Sequence, residues 1–335
     1  LIGELNIIAG VVSMFYLASY GFINLAFSLE SWASTDFRPS FKINTWIGFV
    51  GFVASFAIMF KLDKVSMFAA LIIMSLIFIV LKRKEFRSDA GDVWQSVWTS
   101  IVRRALHKME KNPMEERNWQ PNIILFSGGS SRRPYLVDFG KTLVGKFGML
   151  SNFDLIEKST SEILFPKHKQ AIKSNSEDKG IFYRRQTCKD IYQGIEVIAS
   201  TYGFSGIEPN TILMGWARQS KDPVKFGTMI RNLYKLDLNI LLMDYDKRFG
   251  FGDKKSIDIW WRGEGHNNNL ALFLAKFMIS SNEWENAKIR LLIISSDTAQ
   301  NDKLYKKANY VLENLRISAD VKIINNQLDT RHVYD

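Results

Sequence analysis

The stretch NIILFSGGSSRRPYLVDFGKTLV, residues 122–144, decides the fold of the larger part of this chain. Asn122-Ile123-Ile124-Leu125-Phe126 is a continuous apolar run, the pattern of a strand buried on both faces. After the Gly128-Gly129-Ser130-Ser131 turn, Tyr135, Leu136, Val137, Phe139, Leu143 and Val144 recur with helical spacing. A glycine-rich turn from strand to helix aims backbone N–H groups at whatever lies over the helix N-terminus, which suits an anion. The turn has neither the Gly-Lys-Ser/Thr of a P-loop nor the third glycine of a dinucleotide fingerprint. On these residues alone, a tight turn without a ligand is the favoured reading and a phosphate cradle the alternative.

The same alternation continues downstream. Short apolar runs at 153–157, 181–184, 211–215, 239–244, 257–261, 289–295 and 321–324 are separated by helical patterns at 189–202, 224–234, 270–279 and 303–315. Strands rich in Ile, Leu and Val that alternate with helices predict a mainly parallel sheet covered by helices. Residues 118–335 are therefore expected to form an α/β domain.

Upstream the material changes. Charged residues are sparse before Lys82 and dense after it, and residues 5–29 carry no charge at all. A run of that length suits the roughly 20 residues needed to cross the hydrocarbon core. Two shorter runs, 43–60 and 65–81, are separated by Lys61-Leu62-Asp63-Lys64 and read as a helical hairpin. The segment 1–84 is thus expected to hold three transmembrane helices. Arg38 and Lys42 follow the first run, and Lys82, Arg83, Lys84 and Arg87 follow the third, so both of these sides are expected to be cytoplasmic. An integral membrane protein with a cytosolic C-terminal domain follows. A single cysteine, Cys188, which can form no internal disulfide, suits that compartment.

Residues 85–117 link the two parts. Val93, Trp94, Val97, Trp98, Ile101, Val102, Ala105 and Met109 form an apolar stripe, with Arg103, Arg104, Lys108 and Lys111 on other faces. This amphipathic helix either lies on the membrane surface or packs as a connector against the following domain; the connector is the expectation. Asn112-Pro113 ends it, because proline cannot continue the helical ladder.

The net charge of +10 comes without zinc-finger spacing, RNA-binding aromatics or a long basic tract, so nucleic acid is not an expected partner. A basic cluster next to the membrane, drawn to anionic lipid, accounts for it. His107, His168, His266 and His332 are scattered, none in metal-ligand spacing with Cys188 or with one another, and no Gly-x-Ser-x-Gly elbow occurs. Asp244 and Asp258 lie near strand ends with no partner in sequence, and the Arg262–Asn269 cluster reads as a helix cap. No catalytic residue, no metal site and no enzymatic activity are expected.

Together these parts resemble the cation-chloride cotransporter family, within the amino acid-polyamine-organocation superfamily, over nearly the whole chain. In the membrane part the resemblance rests on FYLASYGFIN (15–24) and FRPSFK (37–42). In the rest it rests on NWQP (118–121), SRRPYLVD (131–138), PNTILMG (209–215), SIDIWW (256–261) and WENAKIR (284–290).

The resemblance implies that the three spans are the last three transmembrane helices of a secondary transporter. The remainder is its cytosolic regulatory domain, built of universal-stress-protein-like α/β halves and commonly dimerising. The sodium and potassium sites and a first chloride site would lie on nine helices that precede this sequence. The full-length protein would perform chloride-coupled symport of potassium, sodium or both, with the lipid bilayer, chloride and alkali cations as partners and a homodimer as its assembly.

Tyr20 stands at the family's Leu-Ala-Ser-Tyr chloride position, where a phenol O–H can donate to an anion where water is scarce. Tyr16 is expected to be structural, and Asn24 to hydrogen-bond a neighbouring helix. No cofactor is otherwise implied. The resemblance implies nucleotide binding for some members, with ATP or ADP as a regulatory ligand that would sit near Gly128, Gly129, Ser130 and Gly215. The universal-stress-protein phosphate motif is degraded: Arg218 replaces its second glycine, and Gly227-Thr228 comes one residue early. Only residues 246–255 separate the strands where animal members carry a phosphorylated insertion, which implies a minimal, microbial type of member. Two other readings remain open: an amino acid permease with a similar regulatory domain, and a membrane-anchored nucleotide-binding sensor.

Overall fold

The computed structural model describes residues 2–33, 43–83, 93–111, 119–129, 132–158, 180–204, 206–216, 222–263, 265–295 and 297–325. It divides into two compact units, Leu1–Lys111 and Asn112–Asp335. The amphipathic helix expected within 85–117 belongs to the first unit.

Among the described residues the first unit has four helices: α1 (Ile2–Ala33), α2 (Thr45–Leu62), α3 (Lys64–Arg83) and α4 (Val93–Lys111). Ala9–Ala33, Thr45–Leu62 and Lys64–Leu81 are long and apolar enough to cross a membrane, which matches the three expected runs to within a few residues. Asn44 caps α2 by accepting from the Trp46 N–H at 3.2 Å. Asp63 alone separates α2 from α3. Its N–H donates to the Met59 carbonyl, while its carboxylate accepts from the Val65 and Ser66 N–H groups. One residue therefore ends one helix and starts the next.

The two helices expected as a hairpin both pack on α1. Met14 and Ala18 of α1 form a buried cluster with Met59 of α2 and with Met67 and Ala70 of α3. Phe22 packs its ring on Phe52 and Phe56 of α2, with centroids 6.1 and 5.7 Å apart. Ser28 Oγ donates to the Thr45 carbonyl at 2.9 Å, which ties α1 to the start of α2. Asn24, expected to bridge helices, lies against Gly51 of α2. Val97 and Ser100 of α4 are buried, and the Arg104 guanidinium lies 4.5 Å over the Trp32 ring of α1.

The second unit holds two sheets. β1 (Asn122–Phe126), β2 (Met149–Glu157), β3 (Ile181–Cys188), β4 (Thr211–Gly215) and β5 (Asn239–Met243) form a five-stranded sheet in the order β3-β2-β1-β4-β5. β6 (Ser256–Trp260), β7 (Lys288–Ser295) and β8 (Asp320–Asn325) form a second sheet in that order. Every pairing is parallel. Helices α5 (Pro134–Val144), α6 (Ile191–Thr201), α7 (Pro223–Tyr234), α8 (His266–Ile279) and α9 (Asn301–Leu315) alternate with the strands, as the sequence predicts.

β2 begins at Met149, four residues before the expected start, because the apolar run is interrupted by Ser151 and Asn152. Both are buried nonetheless, and Ser151 meets the Tyr202 hydroxyl at 2.9 Å. β3 runs on through the polar Arg184-Arg185-Gln186 because it is an edge strand, where Arg185 pairs with Asp154 across the ladder at 3.2 Å.

The quoted motifs hold these sheets together. Asn210 accepts from the Asn122 N–H, donates to the Gln120 carbonyl, and offers its own carbonyl to Asn239 Nδ2, so one side chain and its backbone align the starts of β1, β4 and β5. Asp258 and Arg290 form a two-bond pair across β6 and β7, both bonds at 2.6 Å. That pair uses the carboxylate that sequence left without a partner.

α8 covers both sheets. Its Leu274 and Met278 join Ile123, Leu125 and Leu213 of the five-stranded sheet and Leu136, Val137 and Leu143 of α5. Its Leu272 and Ala275 join Ile259, Ile289, Leu291 and Ile293 of the smaller sheet. A helix that faces two cores must be apolar on two sides, as Leu-Ala-Leu-Phe-Leu-Ala is. The opposite face of the large sheet is covered by Ile195 and Ile198 of α6 and by Met229 and Leu233 of α7.

Candidate functional site

The chain leaves β1 for β2 and β3 on one side of the five-stranded sheet, then crosses to β4 and β5 on the other. The carboxyl ends of β1 and β4 therefore flank the point where strand order reverses. In open parallel sheets that crevice is where ligands bind. Two of the sequence-predicted site residues stand there, Gly128 just after β1 and Gly215 as the last residue of β4.

Arg133, which sequence reasoning did not assign to the site, joins them. A methyl group built on Gly215 would lie 3.2 Å from Arg133 Nη1, and one on Gly128 would lie 3.8 Å from it. The guanidinium thus reaches over both strand ends, and the glycines leave room for it. Gly128 and Gly129 have φ of +65° and +105°, a conformation that costs other residues strain. Ser130 lies outside the described residues.

Several donors after the glycines are used locally. The N–H groups of Arg132 and Arg133 both donate to the Gly129 carbonyl, at 3.0 and 3.2 Å, the Leu136 N–H donates to the Arg133 carbonyl, and Pro134 has none. Three donors that follow the glycines are therefore committed within the turn and the first turn of α5. Beside the turn, the side chain of Arg133 and the positive end of α5, whose N-cap makes no side-chain hydrogen bond, suit an anion. At the base of the turn the Ser127 hydroxyl is fully buried without a hydrogen-bond partner among the described residues, and so are both polar atoms of Asn152 on β2.

The neighbouring helix starts are built differently. Asp190 caps α6 by accepting from the Gln193 N–H at 3.1 Å, and Glu157 accepts from the Ile191 N–H. Asp222 caps α7 by accepting from the Lys225 N–H at 3.0 Å. These carboxylates occupy the positions an anion would take. The Gln193 N–H and then the Lys225 ammonium hold the Asp190 carboxyl below its ordinary range, so it is ionised near neutral pH. Gly227-Thr228, aligned by sequence with a phosphate motif, sits inside α7, where the Thr228 hydroxyl donates to the Val224 carbonyl. Among these three helix starts, only that of α5 carries arginines and no acidic cap.

The other candidates fall into structural roles. Burial, with Glu157 and Asp190 nearby, pushes the Cys188 thiol upward, away from the reactive thiolate. Asn268 donates to the Gly263 carbonyl and stiffens the loop ahead of α8, whose N-cap Gly265 has no side-chain cap bond; the expected asparagine cap works through the loop rather than on the helix N–H groups. No group of three or more His, Cys, Asp and Glu side chains that would suit a metal ion occurs among the described residues.

Tyr20, the sequence-predicted chloride residue, lies on α1 on the side away from the α2 and α3 cluster, with 62% of its surface exposed. Tyr16 and Ile23 share that face, one helical turn to either side. The Tyr20 hydroxyl and the α5 turn belong to different units, and each is a separate candidate.

No family model matches the chain. Over 97% of its length it is 24% identical to Cation-chloride cotransporter 2 of Oryza sativa subsp. japonica, and it spans 35% of that relative. Among solved structures it is similar to the crystal structure of the cytoplasmic domain of a prokaryotic cation chloride cotransporter, at 16% identity and a TM-score of 0.48, over 62% of this chain and 79% of that one. The family read from the sequence motifs is the family to which the chain is similar over nearly its whole length.

Proposed function

We propose that this chain is the C-terminal part of a secondary transporter of the cation-chloride cotransporter type, in which the full-length protein carries chloride together with potassium, sodium or both. The observation that carries this reading is a similarity that covers both the membrane helices and the α/β domain. In this reading the domain is cytosolic, in line with Arg38, Lys42, Lys82 and Arg83 at the ends of the spans. Its regulatory and dimerising role rests on the resemblance alone. The exposed face of Tyr16, Tyr20 and Ile23 is where further helices of a longer chain pack, and Tyr20 donates its O–H to chloride between them.

The test is rubidium uptake by the full-length protein. Chloride-dependent, bumetanide-sensitive uptake supports the reading. Uptake indifferent to chloride removes it in favour of an amino acid permease. Within that assay, Tyr20→Phe removes one hydrogen bond to an ion, worth about 1.5–3 kcal/mol, so the half-saturating chloride concentration is expected to rise about tenfold or more. An unchanged chloride dependence refutes the role of Tyr20.

A second reading, a regulatory anion such as the phosphates of ATP or ADP at Gly128, Gly129, Ser130 and Gly215, is favoured by the Arg133 guanidinium over both strand ends. Calorimetry with ATP and ADP tests it. Binding heat that disappears in Arg133→Ala supports it, and no heat at millimolar nucleotide eliminates it, together with the membrane-anchored sensor.

A further inference from the structure

We infer that α4 is an interfacial helix whose Trp98, Ile101 and Val102 sector inserts among the headgroups of an anionic phospholipid surface. This rests on the reading that α1, α2 and α3 span the membrane. The helix has two apolar sectors. Val97 and Ser100 form one, which is buried, and Arg104 extends it by stacking on Trp32 at the C-terminal end of α1. That contact places α4 at the end of a membrane-spanning helix, the same end from which the chain enters α2 past Trp46.

The second sector, rotated away from α1, presents Trp98 at 61%, Val102 at 55% and Ile101 at 42% exposure, with Trp94 beside them. Trp94, Gln95, Trp98, Thr99 and Val102 form an open, mostly apolar surface along the helix. Large apolar side chains left open on a soluble surface cost hydration free energy, whereas indoles at headgroup level are favourable. Trp32 and Trp46 mark that level on the neighbouring helices.

Charge selects the lipid. Arg103 lies on the polar side of α4 and Lys111 in its last turn, while the one acidic side chain of the helix, Glu110, lies 3.4 Å from His107. A helix with this balance is drawn to an anionic leaflet and only weakly to a neutral one. A second copy of the chain, or another protein, would cover the same sector without requiring anionic lipid.

The test uses the full chain with Cys188→Ser, reconstituted in vesicles of phosphatidylcholine with and without phosphatidylserine. Nitroxides are attached singly at Phe78→Cys on α3, Val102→Cys and Arg103→Cys, and their collisions with oxygen and with a water-soluble nickel chelate are measured. The expected result is oxygen-dominated relaxation at 78 and 102 and chelate-dominated relaxation at 103, with the signal at 102 moving toward the chelate when phosphatidylserine is omitted. Chelate access at 102 in anionic vesicles overturns the inference, and so does protection from both reagents, which would mean a protein partner. Insensitivity of 102 to phosphatidylserine overturns the choice of lipid. Loss of the oxygen signal at 78 is instead the failure of the membrane reading itself.

Discussion

Gly145→Val is expected to lower the stability of the α/β domain by about 2–6 kcal/mol, of which about 1–3 is positive-φ backbone strain and about 1–3 is overpacking. Gly145 ends α5 with φ of +55°, and its N–H donates to the Lys141 and Thr142 carbonyls. A Cβ there would meet Ser280 Oγ and would lie 2.6 Å from the Phe277 carbonyl oxygen at the end of α8. Phe277 O is backbone and already accepts from Ser280, so it has no room to yield. Valine therefore pushes α5 away from α8, the contact through which the two sheets share a core. Thermal unfolding should show a midpoint lower by on the order of 10 °C. A control separates packing from the mere loss of a glycine. Gly227 lies inside α7, where an added Cβ would have no neighbour within 4 Å outside the helix's own backbone, and Gly227→Ala is expected to stabilise by about 0.5–1 kcal/mol. An unaltered midpoint for Gly145→Val would mean that α5 and α8 are not packed as described.

Gly48→Leu should separate α1 from α2. A Cβ on Gly48 would stand 2.5 Å from Ser28 Oγ, 2.7 Å from the Asn24 carbonyl oxygen and 2.8 Å from the Phe27 ring. Small residues at membrane helix contacts serve this close approach, since packing and interhelical hydrogen bonds replace the hydrophobic effect between helices. The Asn24 carbonyl is part of the α1 ladder, so relief comes only from moving a whole helix. That movement also breaks the Ser28 bond to the Thr45 carbonyl and the 3.1 Å contact between the Ser31 and Thr45 hydroxyls. The loss is expected to be about 1–3 kcal/mol, read as a lower denaturation midpoint of the chain in detergent. Gly10→Ala, whose nearest neighbour is Ser66 Oγ at 3.7 Å, should leave that midpoint in place. If Gly48→Leu does the same, the α1–α2 contact is not the one that holds the membrane helices together.

Much of the fold was legible because it depends on local pattern. Uncharged runs of membrane length located α1, α2 and α3, and the alternation of apolar runs with helical spacing located all eight strands and the helices between them. Where boundaries moved, a tertiary cause is visible. Ser151 and Asn152 break the apolar signal of β2 yet are buried there, and Arg185 and Gln186, beyond the expected end of β3, lie on an edge strand. The site was legible only in part. The glycines stood out, but a glycine pair does not say whether its turn uses up its own N–H groups. Arg133 was quoted as part of a motif without a role, because its reach to Gly215 spans 82 positions of sequence. Asp190 and Asp222 could have been read as caps from their places before helical runs, and that reading would have removed α6 and α7 from the search for an anion site.

What the sequence determined by itself is the kind of each segment: which runs can cross a membrane, which become buried strands, and which helix is amphipathic. Those properties follow from the spacing of apolar side chains along one element. Which elements meet was decided only by the tertiary structure. Parallel strands pair through long crossovers, so nothing local specifies that β4 docks beside β1, that α8 serves two cores, or that α2 and α3 both lean on α1. The carboxyl-edge crevice exists because β1 and β4 became neighbours, and that adjacency brings Gly128, Gly215 and Arg133 to one place.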